Sequence, residues 1–235
     1  LTVLDVSANT ALTYLACGGN DLTTLDVSNN TGLTVLSFGS NDLTALDVSA
    51  NTALTYLACG GNDLTALDVS VNTALTTLSC YTNELTALDV SANTGLTYLS
   101  FVNNALTALD VSSNTALENL QCYNNQLTYL NMRNGVTDAL TTFDATNNPN
   151  LTCIETLDPD YATENWTYAN GNIDEGVIFA VNCTPFFGPV WHVSTLGSDS
   201  PGGGSDENPF ATIQHAIASV DTGDTIIVHP GTYVE

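Results

Sequence analysis

The sequence has almost no basic side chains. One Lys or Arg, Arg133, stands against 25 Asp and Glu among 235 residues, and the formal net charge is −24. Because the dominant attraction to phosphate needs clustered cations, this balance excludes nucleic acid and anionic membrane surfaces as partners. The sequence also lacks a run of ~20 consecutive apolar residues, which a membrane-spanning helix needs. We therefore predict no membrane insertion.

Motifs of catalysis and metal binding are absent as well. The sequence has no Gly-x-Ser-x-Gly, no His-Glu-x-x-His and no phosphate-binding loop. Histidine is rare, and His192, His215 and His229 are scattered along the last fifth of the chain. We expect no catalytic residue, no metal site and no cofactor.

A repeat of 21 residues fills the first half of the chain. One copy, Leu43 to Asp63, reads LTALDVSANTALTYLACGGND and contains two halves of the form Leu-x-x-Leu-x-apolar-x-x-Asn. Self-similarity at a fixed step predicts a solenoid, in which each coil packs on the next. The Leu-Asp-Val-Ser segment, or its near equivalent, starts at Leu4, Leu25, Leu46, Leu67, Leu88, Leu109 and, degenerate, Leu130.

This spacing resembles the leucine-rich repeats, in particular the nested 21-residue class, over residues 1 to about 125. The resemblance implies a mainly β solenoid with two short parallel sheets, one strand of each in every coil. Asparagine closes both half-coils, and we predict that these amides hold the buried turn backbone. The two columns are Asn20, Asn41, Asn62, Asn83, Asn104 and Asn125, and Asn9, Asn30, Asn51, Asn72, Asn93 and Asn114.

The six cysteines fall into two sets. Four share one inward repeat position and are predicted to be small buried side chains: Cys17, Cys59, Cys80 and Cys122. Cys153 and Cys183 lie outside the repeats, and we predict a disulfide between them, which indicates an oxidising compartment. Cys59 and Cys80 lie on adjacent coils, but parallel side chains in a packed core have poor geometry for that bond.

The repeats degrade after residue 126. Segment 127–183 contains the phrase DATNNPNLTCI and a later Asn182-Cys183, and it resembles the C-terminal cap of secreted bacterial leucine-rich proteins of the Bacteroidetes type. The resemblance implies a secreted or cell-surface protein. Apolar residues of this segment are expected to cover the open end of the core: Trp166, Tyr168, Ile173, Val177 and Phe179.

A Pro- and Gly-containing connection, 184–190, leads into a new composition at 191–235. We predict a strand at Trp191–Ser194, a helix at Pro209–Val220 with Asn208 as N-cap, a turn at 221–224 and a strand at Thr225–Val228. This order resembles the first coil of a right-handed parallel β-helix of the pectin-lyase-like class, with a capping helix. Since one coil cannot bury its own face, and since the chain opens at Leu1 in mid-repeat, we expect a fragment.

Two outward columns are candidate sites. Tyrosines at or just past the strands of one sheet could stack against sugars or a protein, or reflect only the preference of strands for Tyr: Tyr14, Tyr56, Tyr81, Tyr98 and Tyr123. The other column holds Asp5, Asp26, Asp47, Asp68, Asp89 and Asp110. It predicts either weak calcium sites or a solvated face whose carboxylates bind turn amides. We favour the second, because calcium needs six or more oxygens and the neighbours are Ala and Ser.

Two functions remain open from the sequence. The first is an extracellular, non-catalytic binding or adhesion module that presents a repeat sheet to a glycan or a protein. The alternative is the targeting arm of a polysaccharide-degrading β-helix enzyme. The resemblance places the catalytic residues of such enzymes on later coils, beyond residue 235, so none is assigned in this chain.

Overall fold

A computed structural model of the chain describes residues 1–183, 190–220 and 224–233. The chain divides into two compact units, Leu1–Phe179 and Ala180–Glu235. The predicted connection at 184–190 lies outside the described residues except for Val190, as does the predicted turn at 221–224 except for Asp224.

A seven-stranded parallel sheet runs along the repeats. Its strands are β1 Tyr14–Ala16, β2 Val35–Ser37, β3 Tyr56–Ala58, β4 Thr77–Ser79, β5 Tyr98–Ser100, β7 Asn119–Gln121 and β9 Thr142–Asp144, in that spatial order. Each repeat strand pairs with its copy one coil on, so Tyr14 lies beside Val35 and Val35 beside Tyr56. This sheet confirms the solenoid prediction and its 21-residue register.

The second sheet begins only in the sixth coil. Its strands are β6 Ala108–Asp110, β8 Tyr129–Met132, β10 Cys153–Thr156 and β11 Ile178–Ala180, in the spatial order β11-β10-β8-β6. Among residues 1–107, all of which the structure describes, this side of the coils has no strand. The prediction of two strands in every coil is therefore wrong for the first five coils.

A change in the Asp column coincides with this late start. In the first coils one Asp follows another, and Asp26 is repelled by both Asp5 and Asp47. Like charges directly opposite each other destabilise strand pairing. β6 and β8 instead pair Asp110 with neutral Asn131, whose side-chain amide donates to Asp110 Oδ2 at 3.1 Å. The ladder thus forms at the first pair of coils in which an amide replaces one carboxylate.

The asparagine ladders are confirmed. Asn62 Oδ1 accepts the amide of Leu43, and Asn62 Nδ2 donates to the carbonyls of Phe38 and Cys59. In the other column, Asn51 Nδ2 donates to two carbonyls of the preceding coil. Each coil is thereby joined to its neighbour by side chain as well as by strand. The pattern of Asn62 recurs at Asn41, Asn83, Asn104 and Asn125.

The C-terminal end of the first unit is closed by irregular structure and short helices. A 3-10 turn at Thr137–Ala139 precedes α1, Pro159–Asn165. Trp166, Ile173 and Phe179 are buried against the repeat core, as predicted. Tyr168 is 61% exposed and contributes no cover, which corrects the expectation for that ring. Tyr168 lies in a turn, and its ring faces solvent.

In the described part of the second unit, two strands flank one helix in the sequence. β12 Val190–Val193 and β13 Thr225–Val228 pair in parallel, and α2 Ile213–Ser219 lies between them in sequence. Trp191, Val193, Phe210 and Ala216 form a small separate core. Throughout the described residues, the longest apolar helical stretch is too short to cross a bilayer.

The helix of the second unit begins later than predicted. Its N-cap is Thr212, whose hydroxyl accepts an amide of the first turn, and not Asn208. The segment before it is extended because Phe210 forms a β-bridge with Val193. The Asp199 carboxylate also accepts two backbone amides just before the helix. These contacts compete with helix formation at 209–212.

Candidate binding surface

Three predicted tyrosines share one outward column of the long sheet. Tyr14, Tyr56 and Tyr98 occupy the first position of β1, β3 and β5, with Val35 and Thr77 between them. Tyr14 is 62% exposed and Tyr56 39%, while Tyr98 is half-buried. Rings two strands apart are ~10 Å from each other along the sheet.

Small residues flank this column, and the rings of Tyr14 and Tyr56 stay exposed. Between the first and third strands lies an open depression of about 330 Å³, lined by Tyr14, Val35, Ser37 and Tyr56. A concave, partly apolar lining with one hydroxyl and two phenol groups suits a ligand with both apolar and hydrogen-bonding faces. The neighbouring outward column is Ala16, Ser37, Ala58, Ser79 and Ser100.

The other two predicted tyrosines follow strand ends. Tyr81 is 44% exposed, and its ring lies over Gly60, where an added Cβ would be only 2.4 Å from the ring. Tyr123, in the same column two coils on, is half-buried. We call these five residues the tyrosine face: Tyr14, Tyr56, Tyr81, Tyr98 and Tyr123.

The Asp column binds turn amides, as the favoured interpretation predicts. Asp68 Oδ1 accepts the amide of Ser70 at 2.9 Å, and the same contact recurs in six coils. Hydrogen bonds from the Ser70 hydroxyl and amide lower the pKa of Asp68, and repulsion from Asp47 opposes them in part. Each carboxylate is therefore ionised at neutral pH and exposed to solvent.

We predict that salt stabilises the array by screening and that calcium has no specific effect. NaCl and CaCl₂ at matched ionic strength should raise the melting temperature equally, because both screen exposed charges. Asp68→Asn keeps the acceptor oxygen but removes one charge, so its response to salt should be smaller. The control is Asp160→Asn, which removes one exposed charge from α1 instead of from the Asp column. Several saturable calcium sites in a calorimetric titration would contradict this account.

The repeat cysteines are buried and free. Cys59, Cys80 and Cys122 are fully buried and Cys17 nearly so. For Cys122, burial and then the charge of Asp144 raise the pKa far above the ordinary thiol range. Thiolates are the nucleophilic and metal-binding form, so these side chains are packing residues. Cys153 and Cys183 are disulfide-bonded.

Two histidines that are far apart in sequence lie together in the second unit. His192 Nδ1 is 3.1 Å from His229 Nε2, and Asp206 Oδ1 is 3.2 Å from the first and 3.5 Å from the second. The expectation that all three histidines are scattered is wrong for this pair. His215 packs on Phe210 instead, with ring centroids 4.7 Å apart. The two histidines could not be placed together from the sequence, because their contact depends on the pairing of β12 with β13.

Part of the repeat array matches a known repeat family. Residues 3–38, 44–83 and 86–124 match the LVIVD repeat. No curated protein matches the chain. The repeat ladder and the solved structures described next define the chain as a leucine-rich-repeat-type protein, a mainly β parallel solenoid with few helices.

The functional domain of InlJ from Listeria monocytogenes is 44% identical to this chain, with a TM-score of 0.60, over 66% of this chain and 36% of that one. That domain includes a cysteine ladder. This chain therefore spans little more than a third of the InlJ domain.

Two further solved structures resemble this chain in fold only. The internalin InlF from Listeria monocytogenes is 20% identical over 74% of this chain and 55% of that one, with a TM-score of 0.58. The ectodomain of the receptor kinase GASSHO1/SCHENGEN3 from Arabidopsis thaliana is 19% identical over 64% of this chain and 19% of that one, with a TM-score of 0.55.

Proposed function

We propose that this chain is an extracellular, non-catalytic binding module whose tyrosine face contacts a protein or a glycan. The observation that carries the proposal is the in-register column of partly exposed rings, which alternate with the smaller side chains of Val35 and Thr77. Aromatic anchors of this kind dominate binding energy at protein surfaces, and their faces also stack on apolar ligand surfaces.

The solved structures and the disulfide support this proposal. The Arabidopsis ectodomain was determined in complex with CASPARIAN STRIP INTEGRITY FACTOR 2, and by analogy the solenoid here would present its repeat sheet to a partner. A structural disulfide persists in oxidising compartments, and Cys153 and Cys183 form one. These observations support a location outside the cytoplasm, either secreted or at the cell surface.

We predict that Tyr56→Ala with Tyr98→Ala weakens binding by ~1 kcal/mol or more per ring while leaving the fold intact, because both rings point outward. The labelled chain would be screened on a printed glycan array and on an array of extracellular proteins. Binding of the best hits would then be measured for wild type and the double variant.

The matched control is Tyr168→Ala, which removes an exposed ring from the same unit away from the sheet. This control should bind as wild type does. If the double variant binds the hits as tightly as the control, the tyrosine face is not the binding surface.

The order β12, α2, β13 supports a second candidate, the targeting arm of a polysaccharide-degrading β-helix enzyme. Parallel pairing of two strands across a helical connection is how a parallel β-helix would begin. In this proposal the chain divides into a solenoid at 1–126, a cap at 127–183, a connection at 184–190 and the first β-helix coil at 191–235. Sequencing the gene beyond the codon for Glu235 tests it: further coils with acidic, Lys or Arg residues aligned on one sheet are expected, and their absence contradicts it.

A further inference from the structure

Three side chains of the second unit converge on one point from separate segments. His192 lies on β12, His229 follows β13 directly, and Asp206 lies in the loop before α2. Their three nearest nitrogen and oxygen atoms form a triangle with edges of 3.1, 3.2 and 3.5 Å. Two imidazole nitrogens and one carboxylate oxygen are ligands that divalent transition metals prefer.

The size of this triangle matches a metal coordination shell. Zinc binds nitrogen and oxygen ligands at ~2.0–2.1 Å in tetrahedral geometry, which places neighbouring ligand atoms ~3.3 Å apart. Two of the observed edges are slightly shorter than this separation and one is slightly longer. The three atoms are therefore spaced as the ligands of one ion would be.

The backbone holds the two histidines in register. His192 pairs with Ile227 across the parallel strands, so His229, two residues further on, projects to the same face of the sheet. The His229 amide donates to the carbonyl of Val193, and the Tyr233 hydroxyl donates to the His229 carbonyl at 2.6 Å. Both rings are thus positioned by β-structure.

The loop that carries Asp206 is also fixed on both sides. The His192 amide donates to the Gly204 carbonyl, the Gly204 amide donates to the Asn208 carbonyl, and the Phe210 amide donates to the His192 carbonyl. A Cβ at Gly204 would collide with the rings of Trp191 and Phe210, so this approach needs glycine. The loop is therefore held against β12 on either side of Asp206.

We propose that His192, Asp206 and His229 form a binding site for a divalent transition metal ion, with zinc as the ion whose geometry fits best. The ion would replace the contact between the two rings and join β12, the end of β13 and the loop. The Asp206 side chain is 72% exposed, whereas that of His192 is only 16% exposed. A fourth ligand would therefore reach the ion from the solvent side, next to Asp206.

The test uses the whole chain, stripped of metal with a chelator. Titration with zinc in a calorimeter should show one saturable site per chain, distinct from weak, salt-sensitive binding to the acidic surface. Cobalt(II) should give the intense visible bands of a tetrahedral site. His192→Gln, His229→Gln and Asp206→Asn should each lower the affinity roughly tenfold or more.

His215→Gln is the matched control, since His215 lies in the same unit outside the triangle, and it should bind zinc as wild type does. Asp206→Asn changes an exposed side chain, and a circular dichroism spectrum equal to that of wild type would show that a loss of binding in this variant does not come from misfolding. No stoichiometric site, binding that is unchanged in Asp206→Asn and His192→Gln, or a thiolate charge-transfer band with cobalt would overturn the proposal. The last result would assign the metal to the cysteines.

Discussion

Replacing Asn62 by alanine should lower the free energy of unfolding by about 3 kcal/mol or more. The side chain is buried and joins two coils through one accepted and two donated hydrogen bonds. Alanine would leave the amide of Leu43 buried without a partner, at ~1–3 kcal/mol. The carbonyls of Phe38 and Cys59 would each lose one of two hydrogen bonds, at ~0.5–1.5 kcal/mol per bond, since Asn41 and Asn83 still donate to them. Urea unfolding followed by circular dichroism measures the change.

Asn9→Ala is the control for this prediction. Asn9 is an exposed turn asparagine of the first coil, and exposed substitutions of this kind change stability by ~0.5 kcal/mol or less. Equal losses in Asn9→Ala and Asn62→Ala would show that the amide bonds between coils do not stabilise the array.

The second large effect is expected from the disulfide. Replacing both Cys153 and Cys183 by alanine opens a covalent loop of about 30 residues, and the chain-entropy estimate for such a loop is ~3–4 kcal/mol. The loop contains Trp166 and Ile173, which cover the end of the core. We therefore expect the variant to unfold at a lower urea concentration. Segment 153–183 should be the first to lose its protection against amide hydrogen exchange.

Reduction provides the internal control for the disulfide. A reducing agent should lower the stability of wild type to that of the double variant and leave the variant unchanged. Thiol titration of the denatured wild type should give four groups before reduction and six after it, because four cysteines are free. Six groups before reduction would exclude the disulfide and the argument for an oxidising compartment.

The repeat period was enough to predict the long sheet and both asparagine ladders. A step of 21 residues places equivalent side chains in columns, so the burial of Leu57 in one coil extends to Leu36 and Leu78 in its neighbours. The second sheet could not be predicted in this way, because five coils with the same repeat pattern form no strand on that side. The sequence changes there at Asn131, which lies beside Asp110, and this change stands out only once the two strands are known to pair.

In the second unit, the features that could not be predicted from the sequence depend on contacts between distant residues. The strand positions at 191–194 and 225–228 were close to those in the structure, but their register was not visible in the sequence. That register brings His192 beside His229. The helix start likewise depended on Asp199, which lies more than ten residues before α2 and binds the extended segment ahead of it.

The central claim is that the tyrosine face is the surface that binds a partner, and hydroxyl-radical footprinting tests it most directly. Tyr14, Tyr56 and Tyr81 are exposed enough to be labelled in the free chain, as is Tyr168 away from the sheet. With the best hit from the glycan or protein array bound, labelling of the first three should fall while that of Tyr168 stays constant. Unchanged labelling of all four rings in a saturated complex would contradict the claim.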